Sequence, residues 1–515
     1  MSKPVLTDRD FDDLGAHVRR CAQVYPERVA LISDQRRLTY AELDALMDRV
    51  AAAFQRDAVA PGERVAICAG NSVEYAVVYL GALRAGVVVA PLPTSLAADS
   101  TERMLDDCRA RMAFVDSDSA AVLGRAAADR RVRVIALDGN GAAQGLDAWL
   151  APEGSLPAPV EILPDAPCNI IYSSGTTGSP KGVVQSHAMR WTHVRLGRIL
   201  GGPATMMVST PLYSTGGSVS LIMTLGSQGT AVLMRKFEPA RFLSLAQANK
   251  ATHATLVPLQ YRRILDLPDF ETFDLSSFKG TFSMAAPSSA ELKREILARW
   301  PGALMELYGM TEGGGATVLV ARDFPDKLHT VGRTGPTNEI RIIGEDDSEL
   351  PVGEVGEVVG RSGTMMSGYH NLPEATAAAE WRDNQGRAFI RSGDIGRLDE
   401  DGFLTILGRK KDMIISGGFN IYPSDLEAVL LRHDQVQDAA VIGAPSDRWG
   451  ETPVAFVVSK PGEKIDVEAL LDWANVRLGK TQRISEVKML PELPYNSLGK
   501  VLKRELRERV GLPPL

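Results

Sequence analysis

Through the first half of the chain, short apolar runs alternate with stretches whose apolar residues recur at helical spacing. "RVAIC" (64–68) reads as a buried strand. "SVEYAVVYLGALRAG" (72–86) has helical spacing and stops at Gly86, a residue suited to the left-handed position just past a helix. "VVVAPL" is the next strand, and a helix near 98–109 leads to the strand "MAFVD" (112–116). This alternation predicts an α/β fold with mostly parallel sheets. The Pro-rich stretch 151–167 has no period and reads as a surface connection. "ATHATLVP" (251–258) restores the pattern, as a strand running into a helix.

Beyond about residue 330 the texture becomes β-rich with Gly turns, as in "GEVGEVVGRSG" and "GFLTILGR", which predicts a small β-barrel-like subdomain. After "GRKKD" (408–412) it changes again. "PSDLEAVLLRH", "VEALLDWANVRL" and "KRELRERV" read as helices, and "DAAVIGAP" and "TPVAFVVS" as strands. The expected division is a large N-terminal domain over 1–409 and a small, mobile α+β C-terminal domain over 410–515.

Composition narrows the class. A chain of 515 residues is too long for one core. A net charge of -7 argues against nucleic acid or an anionic membrane as partner. The start, "MSKPVLTDRDFDDLG", has no apolar h-region, and the most apolar stretch is broken by Arg84 and prolines, so no integral membrane segment is expected. Cys21, Cys68, Cys108 and Cys168 are scattered without a C-x-x-C, which fits a reducing, cytoplasmic setting. The histidines are dispersed too, with no H-E-x-x-H, so zinc chemistry is not expected.

The candidate chemistry begins at "IIYSSGTTGSPKGV" (170–183). A strand-like lead runs into a burst of Ser, Thr and Gly, then one cation, Lys181. Backbone N–H groups and hydroxyls beside a lysine suit a polyphosphate. The segment fails the G-x-x-x-x-G-K-[ST] loop, because Lys181 lies between Pro180 and Gly182, and it fails G-x-G-x-x-G. By composition alone a flexible linker would serve equally well. The strand ahead and the Pro-Lys-Gly exit favour phosphate.

The ordered string "YSSGTTGSPKG" resembles the phosphate loop of the adenylate-forming superfamily, in its acyl-CoA synthetase branch. Four further segments are similar to that family's motifs, in its order: "SMAAP" (283–287), "YGMTE" (308–312), "RSGDIG" (391–396) and "GRKKDMIISGGFNIYPSDLE" (408–427). "LPYNSLGKVLKREL" (493–506) resembles its C-terminal signature. The resemblance implies that Ser173, Ser174, Gly175, Thr176, Thr177, Gly178 and Lys181 hold the phosphates of ATP. It implies that Tyr308 stacks on adenine beside Gly309, Ala285, Ala286 and Pro287, and that Thr311 bonds the α-phosphate. Glu312 and Thr176 would hold Mg²⁺, Asp394 the ribose hydroxyls, and Arg409 ribose or phosphate. Lys411 would be the hinge. Lys500 would be the catalytic lysine, acting with Glu312 and Thr176. Gly417, Gly418 and Phe419 would line the CoA tunnel.

The family chemistry so implied has two steps. A carboxylate and ATP give an acyl-adenylate and pyrophosphate; a thiol then displaces AMP. The implied acyl pocket is Tyr213, Gly216, Gly217, Thr255, Met284, Ala285, Gly313 and Gly314. With Gly315, the run of three glycines suggests an open floor and a bulky or extended acid. No cation is plainly placed for a second carboxylate, with Arg235 and Lys236 the nearest candidates. Aromatic or alicyclic acids and medium-chain fatty acids lead. Ser214 departs from the family, which often has His there. The small-molecule partners expected are the acid, ATP and CoA; a homodimer is left open. Alternatives are an enzyme loading a carrier-protein thiol and a luciferase-like oxygenase. The end "GLPPL" is no S-K-L signal and nothing else supports oxygenation.

Overall fold

The computed structural model describes residues 6–34, 36–94, 98–121, 123, 132–139, 144–173, 181–480, 482–496 and 499–512. Two large sheets dominate. One has nine strands, with a parallel centre of Thr230–Leu233, Thr205–Val208, His253–Leu256, Gly280–Ser283 and Ala303–Tyr308. The other has eight, with Val88–Pro91, Arg64–Cys68, Met112–Val115 and Arg133–Ala136 in parallel. The patterns at 64–68 and 112–116 are thus strands as expected. A long-range pairing that no local pattern announces puts Val29–Ile32 parallel to Thr230–Leu233.

Between the large sheets lie helices Leu14–Val24, Tyr40–Arg56, Val73–Arg84, His187–Leu196 and Thr215–Gly226, sharing one apolar core. Val73–Arg84 is buried almost all round, which accounts for its apolar sequence: it is an interior helix. Ser72 caps its start by accepting from the Tyr75 N–H, and Gly86 follows its end at φ +69°. No helix among the described residues is long and apolar enough to cross a membrane.

Beyond these sheets the texture changes as the sequence suggests. Asn338–Ile343, Gly356–Ser362, Glu380–Arg382, Ala388–Leu398 and Leu404–Arg409 form a curled antiparallel sheet. Ile414–Ser416, Phe419–Ile421, Val436–Ser446, Gly450–Ser459 and Glu486–Met489 form a fourth sheet, covered by helices Pro423–Leu430 and Val467–Arg477 around a separate core.

Helices His187–Leu196 and Thr215–Gly226 touch backbone to backbone. A Cβ on Gly226 would stand 2.1 Å from the Val194 carbonyl oxygen, and one on Gly197 would stand 2.4 Å from that of Met223. Gly226→Val is expected to cost about 3 kcal/mol, the upper end for added core methyls. Gly335→Ala, where nothing lies within 4 Å, should be neutral. Denaturant midpoints for both variants check this.

Candidate active site

Lys181 opens the strand Lys181–Ser186, which pairs antiparallel with Pro167–Ser173, Ser173 opposite Lys181. The hydroxyl-rich segment therefore joins two strands of a hairpin. Ser174, Gly175, Thr176, Thr177 and Gly178 lie outside the described residues, as does the Ser173 side chain. On the outer edge of Lys181–Ser186 runs the short strand Gly368–Tyr369. Its pairing brings Lys181 Nζ to 5.1 Å from the centre of the Tyr369 ring, and the Tyr369 hydroxyl donates to Glu312 Oε1 at 3.0 Å. The expected phosphate lysine and metal carboxylate thus meet at one tyrosine that no motif marked.

Tyr308 ends the strand Ala303–Tyr308, and its hydroxyl donates to Asp394 Oδ2 at 2.8 Å. Asp394 sits opposite Arg409 in the curled sheet, and Arg409 Nε pairs with Asp394 Oδ1 at 2.8 Å. Burial pushes the Asp394 carboxyl above its ordinary range, while Arg409, the Tyr308 hydroxyl and Lys500 pull the other way. Lys500, in the C-terminal region, lies near enough for its charge to act on Asp394. The Gly499 turn, at φ +69°, presses on Val257 and Leu259, and Arg262 Nη1 donates to the Gln437 carbonyl at 2.7 Å. Lys500 keeps solvent contact, yet loss of hydration holds its ammonium pKa below the ordinary lysine value. Arg409 and Lys411 lower it further; Asp394 and Asp412 oppose.

Thr311 is held twice. Its hydroxyl oxygen accepts from Thr215 Oγ1 at 3.0 Å, and its carbonyl accepts from Gln185 Nε2 at 2.9 Å. Neither partner had a sequence signal beyond being polar.

The acyl-pocket residues divide. Met284 lies over Gly216: a Cβ there would be 2.9 Å from its sulfur. Thr255 accepts from Ser220 Oγ at 2.8 Å and is buried. Gly217 serves backbone packing, since a Cβ would meet the Pro211 carbonyl at 2.1 Å. The three glycines after Glu312 leave no open floor. The Thr364 carbonyl fills the Cβ position of Gly313, Gly360 and Ile390 flank that of Gly314, and Glu339 and Ile340 crowd that of Gly315. Tyr213 is buried. Ser214 caps its helix, accepting from the Gly217 N–H at 3.2 Å and donating to Pro211 at 2.7 Å. Arg235 is engaged by Asp116 and Asp118 at 3.0 and 2.9 Å.

Gly417 and Gly418 turn a hairpin at φ +58° and +82°, with the Gly417 N–H on the Trp449 carbonyl at 2.8 Å. Phe419, Trp449 and Ile415 leave an apolar group exposed there. Lys411 lies in the short turn Lys410–Asp412 between the curled and fourth sheets.

Two family models match the chain: "AMP-binding enzyme" over residues 18–370 and "AMP-binding enzyme C-terminal domain" over 425–500. The chain belongs to the AMP-binding enzyme family. It is therefore a member of the adenylate-forming superfamily, in the branch of AMP-forming acid–thiol ligases. A feruloyl-CoA synthase from an Amycolatopsis species is 33% identical over 97% of this chain and 99% of its own. A fatty acid–[acyl-carrier-protein] ligase, ScoC of Streptomyces coeruleorubidus, is 31% identical over 95% of this chain and 94% of its own. Among solved structures, ATP-bound MatB from Rhodopseudomonas palustris superposes with a TM-score of 0.85 at 30% identity, covering 96% of this chain and 98% of MatB.

In this member of the AMP-binding family, Ala285 adopts φ +71°, a left-handed conformation that costs an L-residue energy. Ala285→Val is expected to cost about 1–3 kcal/mol because branching makes that conformation worse. Ala285→Gly should cost nothing or stabilise slightly. Thermal unfolding of the two variants checks it.

Proposed function

We propose that the protein is an ATP-dependent carboxylate–CoA ligase with two domains hinged at Lys411, and that its acid is aromatic, alicyclic or a medium-chain fatty acid. The observation that carries this reading is the Tyr308–Asp394–Arg409 cluster, with Lys500 near enough for its charge and theirs to act on one another. A cation brought by a turn of the C-terminal region toward residues that would hold ribose and phosphate suits the adenylating step.

In that step a carboxylate oxygen attacks the α-phosphorus, and the bond to the pyrophosphate oxygen breaks. Negative charge must be met at the carboxylate and phosphates. Lys181, Arg409 and Lys500 supply cations, and the Thr311 hydroxyl a hydrogen bond. Tyr308 and Asp394 would hold the nucleoside, with the 283–287 segment beside adenine. Mg²⁺ fits this donor set, because it takes one or two carboxylates with phosphate and water. Glu312, steadied by Tyr369, would hold it and Thr176 would join; bound there, it offsets phosphate charge. In the second step the CoA thiol, having lost its proton to solvent, attacks the acyl carbon, and the bond to AMP breaks. Gly417, Gly418 and Phe419 would line the thiol's path once the C-terminal domain has turned about Lys411.

A carrier-protein thiol is the second reading, favoured by the similarity to the fatty acid–[acyl-carrier-protein] ligase. For the acid, the similarity to feruloyl-CoA synthase and the engagement of Arg235 by aspartates both support a substrate without a second carboxylate.

Pyrophosphate release with Mg·ATP across a panel of acids, with and without CoA, tests the reading. Turnover only with CoA is expected; release that stops near one equivalent would point to a carrier. Lys500→Ala should lose adenylation at least about 100-fold while thioester formation from supplied acyl-adenylate falls far less. Because the Lys500 pKa is lowered and the charged form is the useful one, adenylation should decline with rising pH below the ordinary lysine value of 10.5. Lys500→Arg should move that limb upward. Equal loss of both half-reactions in Lys500→Ala would refute the division of labour.

Met284→Ala opens the space over Gly216. It should shift kcat/KM toward bulkier acids by about 10-fold, the usual worth of a pocket methylene or two. Competition between two acids of the panel, one larger by a ring or a few methylenes, measures it.

A further inference from the structure

Arg190 is 1% exposed, and no carboxylate pairs with it among the described residues. Its Nη1 is buried and has no hydrogen-bond partner among the described residues. Its neighbours Tyr79, Cys168 and His193 are neutral side chains, each with burial as the main cause of its shifted pKa. A lone buried guanidinium is costly, so its retention calls for a use.

Two chains of hydrogen bonds leave this cation and end on the same residue. On one side Arg190 Nε donates to Asn169 Oδ1 at 2.8 Å, Asn169 Nδ2 donates to Gln185 Oε1 at 2.8 Å, and Gln185 Nε2 donates to the Thr311 carbonyl at 2.9 Å. On the other, Arg190 Nη2 donates to Ser218 Oγ at 3.2 Å, Ser218 Oγ donates to the Thr215 carbonyl at 3.1 Å, and Thr215 Oγ1 donates to Thr311 Oγ1 at 3.0 Å. Every donor points away from Arg190 and toward Thr311. The bonds through Asn169 and Gln185 are aligned so that each polarises the next, whereas the path through Ser218 enters Thr215 at its carbonyl and leaves from its hydroxyl, so it fixes the place of Thr215. With its oxygen accepting from Thr215, the Thr311 hydroxyl keeps its single proton for another acceptor.

We infer that Arg190 is a positioning residue for adenylation: it orients Thr311, through Asn169–Gln185 at its carbonyl and Ser218–Thr215 at its hydroxyl, as a donor to the anionic oxygen at the α-phosphate. It does not touch the substrate, since its free Nη1 reaches no solvent. The inference rests on the reading of Thr311 as a phosphate ligand.

The test uses the full chain and isotope exchange between ATP and pyrophosphate, with the best acid of the panel. Arg190→Met should fold, because Asn169 Oδ1 keeps the Tyr79 hydroxyl at 3.2 Å and Ser218 keeps its own acceptor. It should lower kcat for exchange about 10-fold or more, with KM for ATP changed less than about 3-fold. Arg190→Lys should recover part of the loss. In a Thr311→Val background, Arg190→Met should cost no more, because the arm then has nothing to orient. If Arg190→Met does not fold, Thr215→Val replaces it, with the same non-additivity against Thr311→Val expected. A wild-type rate in Arg190→Met, or losses that multiply in the double variant, would overturn the inference. A wild-type enzyme that exchanges pyrophosphate with no acid would instead overturn the proposed function.

Discussion

The carboxylate of Asp394 is where the molecule's separate layers are tied together. One oxygen accepts from Tyr308, at the end of a strand in the nine-stranded sheet. The other pairs with Arg409, on the last strand of the curled sheet, and Lys500 approaches from beyond the fourth sheet. Burial alone would favour the protonated acid, and the cations around it work against that. The group therefore depends on its partners, and the partners are placed by it. Moving the C-terminal region away removes Lys500 but leaves Arg409, which belongs to the curled sheet, so the carboxylate is never left without a cation.

Much of this was legible in residue order. Strands such as Arg64–Cys68 and Met112–Val115 and the helix Val73–Arg84 follow directly from period and caps, because local spacing decides which face is buried. The motifs also gave Tyr308, Asp394 and Arg409, which the fold brings within hydrogen-bond reach. What sequence order concealed are contacts set by sheet pairing. Tyr369 reaches Glu312 across 57 positions only because Gly368–Tyr369 adds to the edge of Lys181–Ser186. Arg190 looks like a surface residue of a short helix until that helix is found sealed against Thr215–Gly226 at Gly226 and Gly197. Glycine misled in the other direction. The run after Glu312 suggests space, and the fold uses it for backbones that approach too closely for any Cβ.

A common electrostatic logic runs through the site. Lys181 rests over an aromatic face, Lys500 sits among charges of both signs, and Arg190 lacks any carboxylate among the described residues. Fully neutralised cations would have little field left for an incoming anion. Under the proposed function, Lys181 and Lys500 would carry a cost in the free protein that a polyphosphate relieves, so the field would be in place before the reaction begins. The pairing of Arg235 with the buried Asp116 and the exposed Asp118 shows the contrast: its charge is met on both sides.

The exposed apolar group at Phe419, Trp449 and Ile415 bears on the hinge proposed at Lys411. In the arrangement described, Lys500 lies near Asp394 and this apolar group is exposed to water. Burying it against the large domain would return about 25 cal/mol for each Å² of apolar surface covered. In the proposed rotation such a gain would work against the loss of contacts such as Gly499 on Val257 and Arg262 on Gln437. Two arrangements of comparable free energy are what a sequential mechanism requires, because neither half-reaction then traps the enzyme. Under the proposed hinge, the rotation would fall in the short turn Lys410–Asp412, none of whose residues is buried and which follows Gly408 at φ +149°.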